Sequence, residues 1–166
     1  MSRTGVSRLD LMYAHVEDPA VPLSETVQGF AELVSSGFVG LLGVSNHWAW
    51  KVERARTLAL GAGLPGYEVL QYCHTYLPQR ADSPSRWSPD GEPGAAGPDL
   101  LSYARAFSSE LTLVAYSPLL GGGYVRADKP PGPEFSCAGT APRLAALREV
   151  VWAETGRRST RWCWRG

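Results

Sequence analysis

The chain has 166 residues, 44% of them apolar and 19% charged, the make-up of a soluble globular domain. Its length excludes a closed eight-unit α/β barrel, which takes roughly 250 residues. Sixteen basic side chains balance sixteen acidic ones, so no net field recruits nucleic acid or an anionic membrane.

Four short apolar runs bounded by turn residues read as strands covered on both faces: 9–15 (LDLMYAH), 39–44 (VGLLGV), 68–72 (EVLQY) and 111–117 (LTLVAYS). Helical patterns lie between and after them. From Ser24, the expected N-cap, Val27, Phe30, Ala31 and Val34 fall on one face, and Gly37 supplies the stop. Val52, Ala55 and Ala59 repeat the spacing within 48–60, before Gly61 and Gly63. Leu100, Tyr103, Ala104 and Phe107 do so after Pro98, and Leu144, Leu147 and Val151 after Pro142. Strand and helix alternate four times, the first three strands starting roughly 30 residues apart, as parallel βαβ units require. The proline-rich segments 78–98 and 121–141 break the rhythm, either as functional lids or as disordered loops.

Cys73, Cys137 and Cys163 are too few and too scattered for a disulfide framework or a zinc site, so no metal is expected. No stretch approaches the roughly 18 apolar residues of a membrane span. No apolar signal core follows MSRTGVSR, so the expected compartment is the cytoplasm. The last residues, 157–166, carry four arginines, two tryptophans and a cysteine without period. They are expected to be an unstructured or aberrant tail beside a domain over 1–156. A nucleic-acid or membrane role for that basic, aromatic tail is disfavoured by the zero net charge.

The predicted strands deliver polar groups to one rim: His15, then Ser45 and Asn46, then Gln71, then Tyr116 and Ser117. Ligands of parallel α/β proteins sit at that carboxyl rim. Each group also has a structural reading on its own. His15 fits a satisfied structural histidine, and Ser45–Asn46 an N-cap for the following helix. Gln71 fits a partner for a buried backbone group, and Tyr116 a core residue.

These residues resemble the aldo-keto reductase family. LDLMYAH, ending in His15, is similar to its fourth barrel strand, and Gly43–Val44–Ser45–Asn46 to the GVSN that ends its fifth. Gln71 in VLQYCHTY matches a glutamine of its sixth strand, and Ala115–Tyr116–Ser117–Pro118–Leu119 its AYSPL segment. The resemblance implies an α/β fold, four consecutive units of a (β/α)8 barrel, and an NADPH-dependent oxidoreductase acting on small carbonyl compounds. It implies that His15 orients the carbonyl as a catalytic residue. Ser45, Asn46 and Gln71 would bond the nicotinamide carboxamide, and Tyr116 would stack on the ring. Ser117, Leu119 and Gly121 would lie along the pyrophosphate.

The family's catalytic aspartate, tyrosine and lysine belong to three earlier units, and neither Lys51, in a helix, nor Lys129, in a loop, replaces that lysine. The chain is therefore expected to be a truncated or frame-shifted piece, inactive alone, and a non-catalytic remnant or interaction module is the alternative reading. Its edge strands and bare apolar face predict poor solubility or self-association. Its affinity for NADP is expected to be no tighter than about 1 mM, without preference over NAD.

Overall fold

The computed structural model describes residues 5–80, 82–83 and 91–155. The expected tail at 157–166 lies outside them. Among the described residues four strands and four α-helices alternate: β1 (Leu9–Ala14), α1 (Leu23–Ser35), β2 (Val39–Ser45), α2 (Ala49–Gly61), β3 (Tyr67–Cys73), α3 (Pro98–Ala106), β4 (Thr112–Tyr116) and α4 (Thr140–Thr155), with 3-10 turns at Leu120–Gly122 and Pro133–Phe135 between the last two. The chain divides into two compact units, Met1–Tyr72 with Pro93–Tyr116, and Cys73–Glu92 with Ser117–Gly166.

In the first unit the strands form one sheet in the order β1-β2-β3-β4, with β1–β2 and β2–β3 parallel. Leu42, Val44, Leu70 and Tyr72 pack with Val27 of α1 and Val52, Ala55 and Ala59 of α2 in one core. Because side chains alternate along a strand, the residues between them, Gly43, Ser45 and Gln71, belong to the other face. Burial on that face is uneven: Ser45 and Val69 are buried, while Leu41 and Val114 are 43% and 36% exposed, and β1 and β4 are the sheet's edges.

Helix ends follow local chemistry. Gly37, at φ 75°, lets its own N–H reach the Val34 carbonyl and the Phe38 N–H reach Leu33, a Schellman close to α1. Gly63, at φ 66°, does the same after α2, with Leu64 N–H bonded to the Ala59 carbonyl. The starts differ from expectation. Ser24 lies inside α1, whose N-cap is Pro22, its carbonyl receiving Glu25 and Thr26. Helix α2 starts from Trp48 without a side-chain cap, so Ser45 and Asn46 do not cap it.

The second unit has its own small core of Leu77, Tyr124 and Phe135, joined by Leu144 and Leu147 of α4. Segment 121–141 is thus packed through its two aromatic residues, rather than disordered.

Candidate active site

The carboxyl end of the sheet gathers His15, Ser45, Asn46, Gln71 and Tyr116. The β2–β3 register sets Ser45 directly beside Gln71, and Ser45 is buried while Gln71 is half-buried. Asn46, the first residue after β2, has φ 54°, a left-handed conformation that asparagine tolerates better than most residues. That turn brings its amide inward. Its Nδ2 donates to the backbone carbonyl of His15 at 2.8 Å, and its Oδ1 accepts the Tyr116 hydroxyl at 3.3 Å. Strands β2 and β4 flank β3 and are therefore about 9–10 Å apart, so the Tyr116 phenol reaches over the end of β3. One amide ties together the ends of β1, β2 and β4.

Glycine at 43, inside the GVSN segment, has a steric cause. A Cβ there would overlap the ring of Tyr13, its register partner on β1.

Beside this rim lie His47 and Tyr72, which carried no signal of their own in the sequence, and Lys51, which the sequence placed only in a helix. His47 is buried, its Nδ1 lying 2.7 Å from the Ser45 carbonyl. Burial pushes its imidazole below the usual range, against the opposite pull of the Ser45 carbonyl and Glu17. Tyr72, fully buried on β3, donates its hydroxyl to the His47 carbonyl at 2.7 Å. Lys51, in the first turn of α2, is ion-paired with Glu17. The only readable hint was position: His47 directly follows the GVSN segment.

Ser117, Leu119 and Gly121 belong to the second unit and are described within it. Ser117 (φ 53°), Leu120 (φ 47°) and Gly121 (φ 65°) are all left-handed. The Ser117 carbonyl receives Leu120 N–H at 3.0 Å, and that of Leu119 receives Gly122 N–H at 2.9 Å. The Leu119 side chain packs against the small core, while open space surrounds the position of a Cβ at Gly121. Tyr124 braces this turn by donating to the Pro118 carbonyl at 2.9 Å.

The profile of the Aldo/keto reductase family matches residues 1–156. The chain belongs to this family. It is 31% identical over 71 residues to an aldo-keto reductase of Fusarium vanettenii, covering 43% of this chain and 19% of that protein. It is 27% identical to human aldo-keto reductase family 7 member A3, over 74% of this chain and 32% of the relative. The chain thus spans about a third or less of the length of these relatives. Its fold is that of the crystal structure assigned to a 2,5-diketo-D-gluconic acid reductase B, with a TM-score of 0.52 at 20% identity, covering 70% of this chain and 34% of that one. The four-stranded parallel sheet with its helices is accordingly a portion of a (β/α)8 barrel. Among the described residues no helix is long and apolar enough to cross a membrane.

Proposed function

We propose that this chain forms the nicotinamide-binding rim of an NADPH-dependent reductase of small aldehydes or ketones. The observation that carries the reading is the Asn46 amide held between the ends of β1 and β4, with Ser45 and Gln71 side by side next to it. The donor set suits a carboxamide. An amide side chain offers two N–H donors and two acceptor lone pairs, and Asn46 spends one of each on its protein partners. One donor and one acceptor stay available for the complementary amide, with Ser45 and Gln71 to fix its orientation. Tyr116, whose hydroxyl donates to Asn46, would pack its ring on a flat heterocycle.

Bound reduced nicotinamide supplies the hydride. His15, exposed just past the end of β1, would hydrogen-bond the substrate oxygen and orient the carbonyl for that transfer. Lys51, the one lysine of the first unit, is on a helix and is held by Glu17. That observation favours a second reading, a cofactor-binding module that does not turn over, because the family's proton donor works beside a strand lysine.

Saturation-transfer NMR on the full chain with NADPH and with NADH tests the first reading. Nicotinamide protons should show contact that Asn46→Ala and Gln71→Ala abolish while the protein stays folded. Unchanged contact in both variants refutes the site. NADPH consumption with a panel of aldehydes, followed by absorbance, separates the readings: binding with turnover supports the reductase, and binding without turnover supports the module.

A further inference from the structure

Asn46 serves the proposed site only while its backbone stays left-handed, a conformation that a non-glycine residue keeps only when its surroundings enforce it. The enforcement is visible on both sides of it. Ahead of Asn46, the Ser45 carbonyl lies 2.7 Å from His47 Nδ1. A carbonyl only accepts, so that nitrogen carries the proton. Behind it, the His47 carbonyl accepts the Tyr72 hydroxyl at 2.7 Å. His47 is 3% exposed and Tyr72 is fully buried, so water does not compete for either bond.

We infer that His47 is a positioning residue, whose Nδ1–H locks the Ser45–Asn46–His47 turn and so holds the Asn46 amide between His15 and Tyr116. The inference rests on the proposed nicotinamide site for its consequence but on the turn's geometry for its mechanism. The ring closes the turn by bonding the residue two positions back. Tyr72, from the neighbouring strand, then fixes the far side of the same turn to the sheet. Neutral imidazole suits this arrangement, and Glu17, Lys51 and Tyr72 are the titratable groups that act on or contact His47. Protonation would leave the Nδ1–H bond in place but would put a charge in a buried position.

Nitrogen-15 NMR of the three histidines in the full chain tests the mechanism directly. His15→Gln and His74→Gln, made singly, assign the His47 signals. Near neutral pH, His47 should be the Nδ1–H tautomer, and an Nε2–H tautomer overturns the inference whether or not the chain binds any cofactor. Two variants then test the consequence. Asparagine carries an N–H donor close to the position of Nδ1, so His47→Asn should keep the shifted side-chain amide signals of Asn46. His47→Leu keeps bulk without a donor, so those signals should move to solvent-exposed values, and nicotinamide binding should weaken about tenfold, the scale of one lost hydrogen bond. Unmoved Asn46 signals in folded His47→Leu refute the inference. If that variant does not fold, Tyr72→Phe replaces it, releasing the other side of the turn, and must move the same signals. If the wild-type chain binds neither NADPH nor NADH, the nicotinamide reading falls, while the tautomer and the Asn46 signals still decide the role of His47.

Discussion

Gly43→Ala offers the most direct test of how the GVSN segment is packed. Glycine is needed at this position for room, since its φ is not left-handed. An added Cβ would meet the Tyr13 ring, with the ring's Cγ at 3.2 Å and two further ring carbons closer. Tyr13 is the register partner of Gly43 and sits on the edge strand β1, so relief comes from swinging the ring outward or parting the two strands. Overpacking of this kind costs roughly 2 kcal/mol. Replacing a strand glycine recovers about 0.5–1 kcal/mol of backbone entropy, leaving a net loss of about 1–1.5 kcal/mol. For a chain of this size that lowers Tm by roughly 2–6 °C, readable by calorimetry. Tyr13→Ala should remove the clash, so that Gly43→Ala in that background is neutral or slightly stabilising. The coupling between the two substitutions is expected to be about 1 kcal/mol or more. Additive effects would show that the ring does not set the glycine requirement.

Tyr67→Phe should leave stability unchanged or raise it by up to about 1 kcal/mol, because among the described residues the buried Tyr67 hydroxyl has no hydrogen-bond partner. A loss above that size in urea denaturation would reveal a partner. Burial also pushes the Tyr67 phenol up to about 12. The unfolded chain therefore gives up this proton near pH 10 while the folded chain keeps it, and stability should fall as pH rises from about 10 to 12; a flat alkaline profile contradicts this. The sign reverses for His47, a base held below its usual 6.5 chiefly by burial. Its contribution is intact above about pH 6.5 and declines on acidification, as the unfolded chain takes up the proton first; His47→Asn should flatten that acid limb, and an unchanged limb counts against it. Lys51→Met should cost less than about 1 kcal/mol, as a partly exposed ion pair does, and should leave NADPH binding unchanged. A tenfold or greater loss of binding would give Lys51 a role at the site.

Periodicity was enough to place the four strands and the four α-helices, though not the 3-10 turns at Leu120–Gly122 and Pro133–Phe135, because the apolar spacing of a longer element matches its own geometry and needs no distant partner. The rim was legible for a related reason. In a parallel sheet all strands end on the same side, so His15, Asn46 and Tyr116 had to approach one another once the strands were located. Ser24 was misread as a cap because a hydroxyl before an apolar run looks the same whether or not the helix has already begun, and Pro22 begins it. Composition leaves segment 121–141 open between a functional lid and a disordered loop, since nothing local shows that Tyr124 and Phe135 meet Leu77. His47 is the clearest case. Alone it is one histidine between an asparagine and a tryptophan. Its burial, its fixed proton and its bond to the Ser45 carbonyl come from the left-handed turn at Asn46 and the hydroxyl of Tyr72 on the neighbouring strand. Those are relations between segments distant in the chain, which local pattern does not encode and only packing brings together.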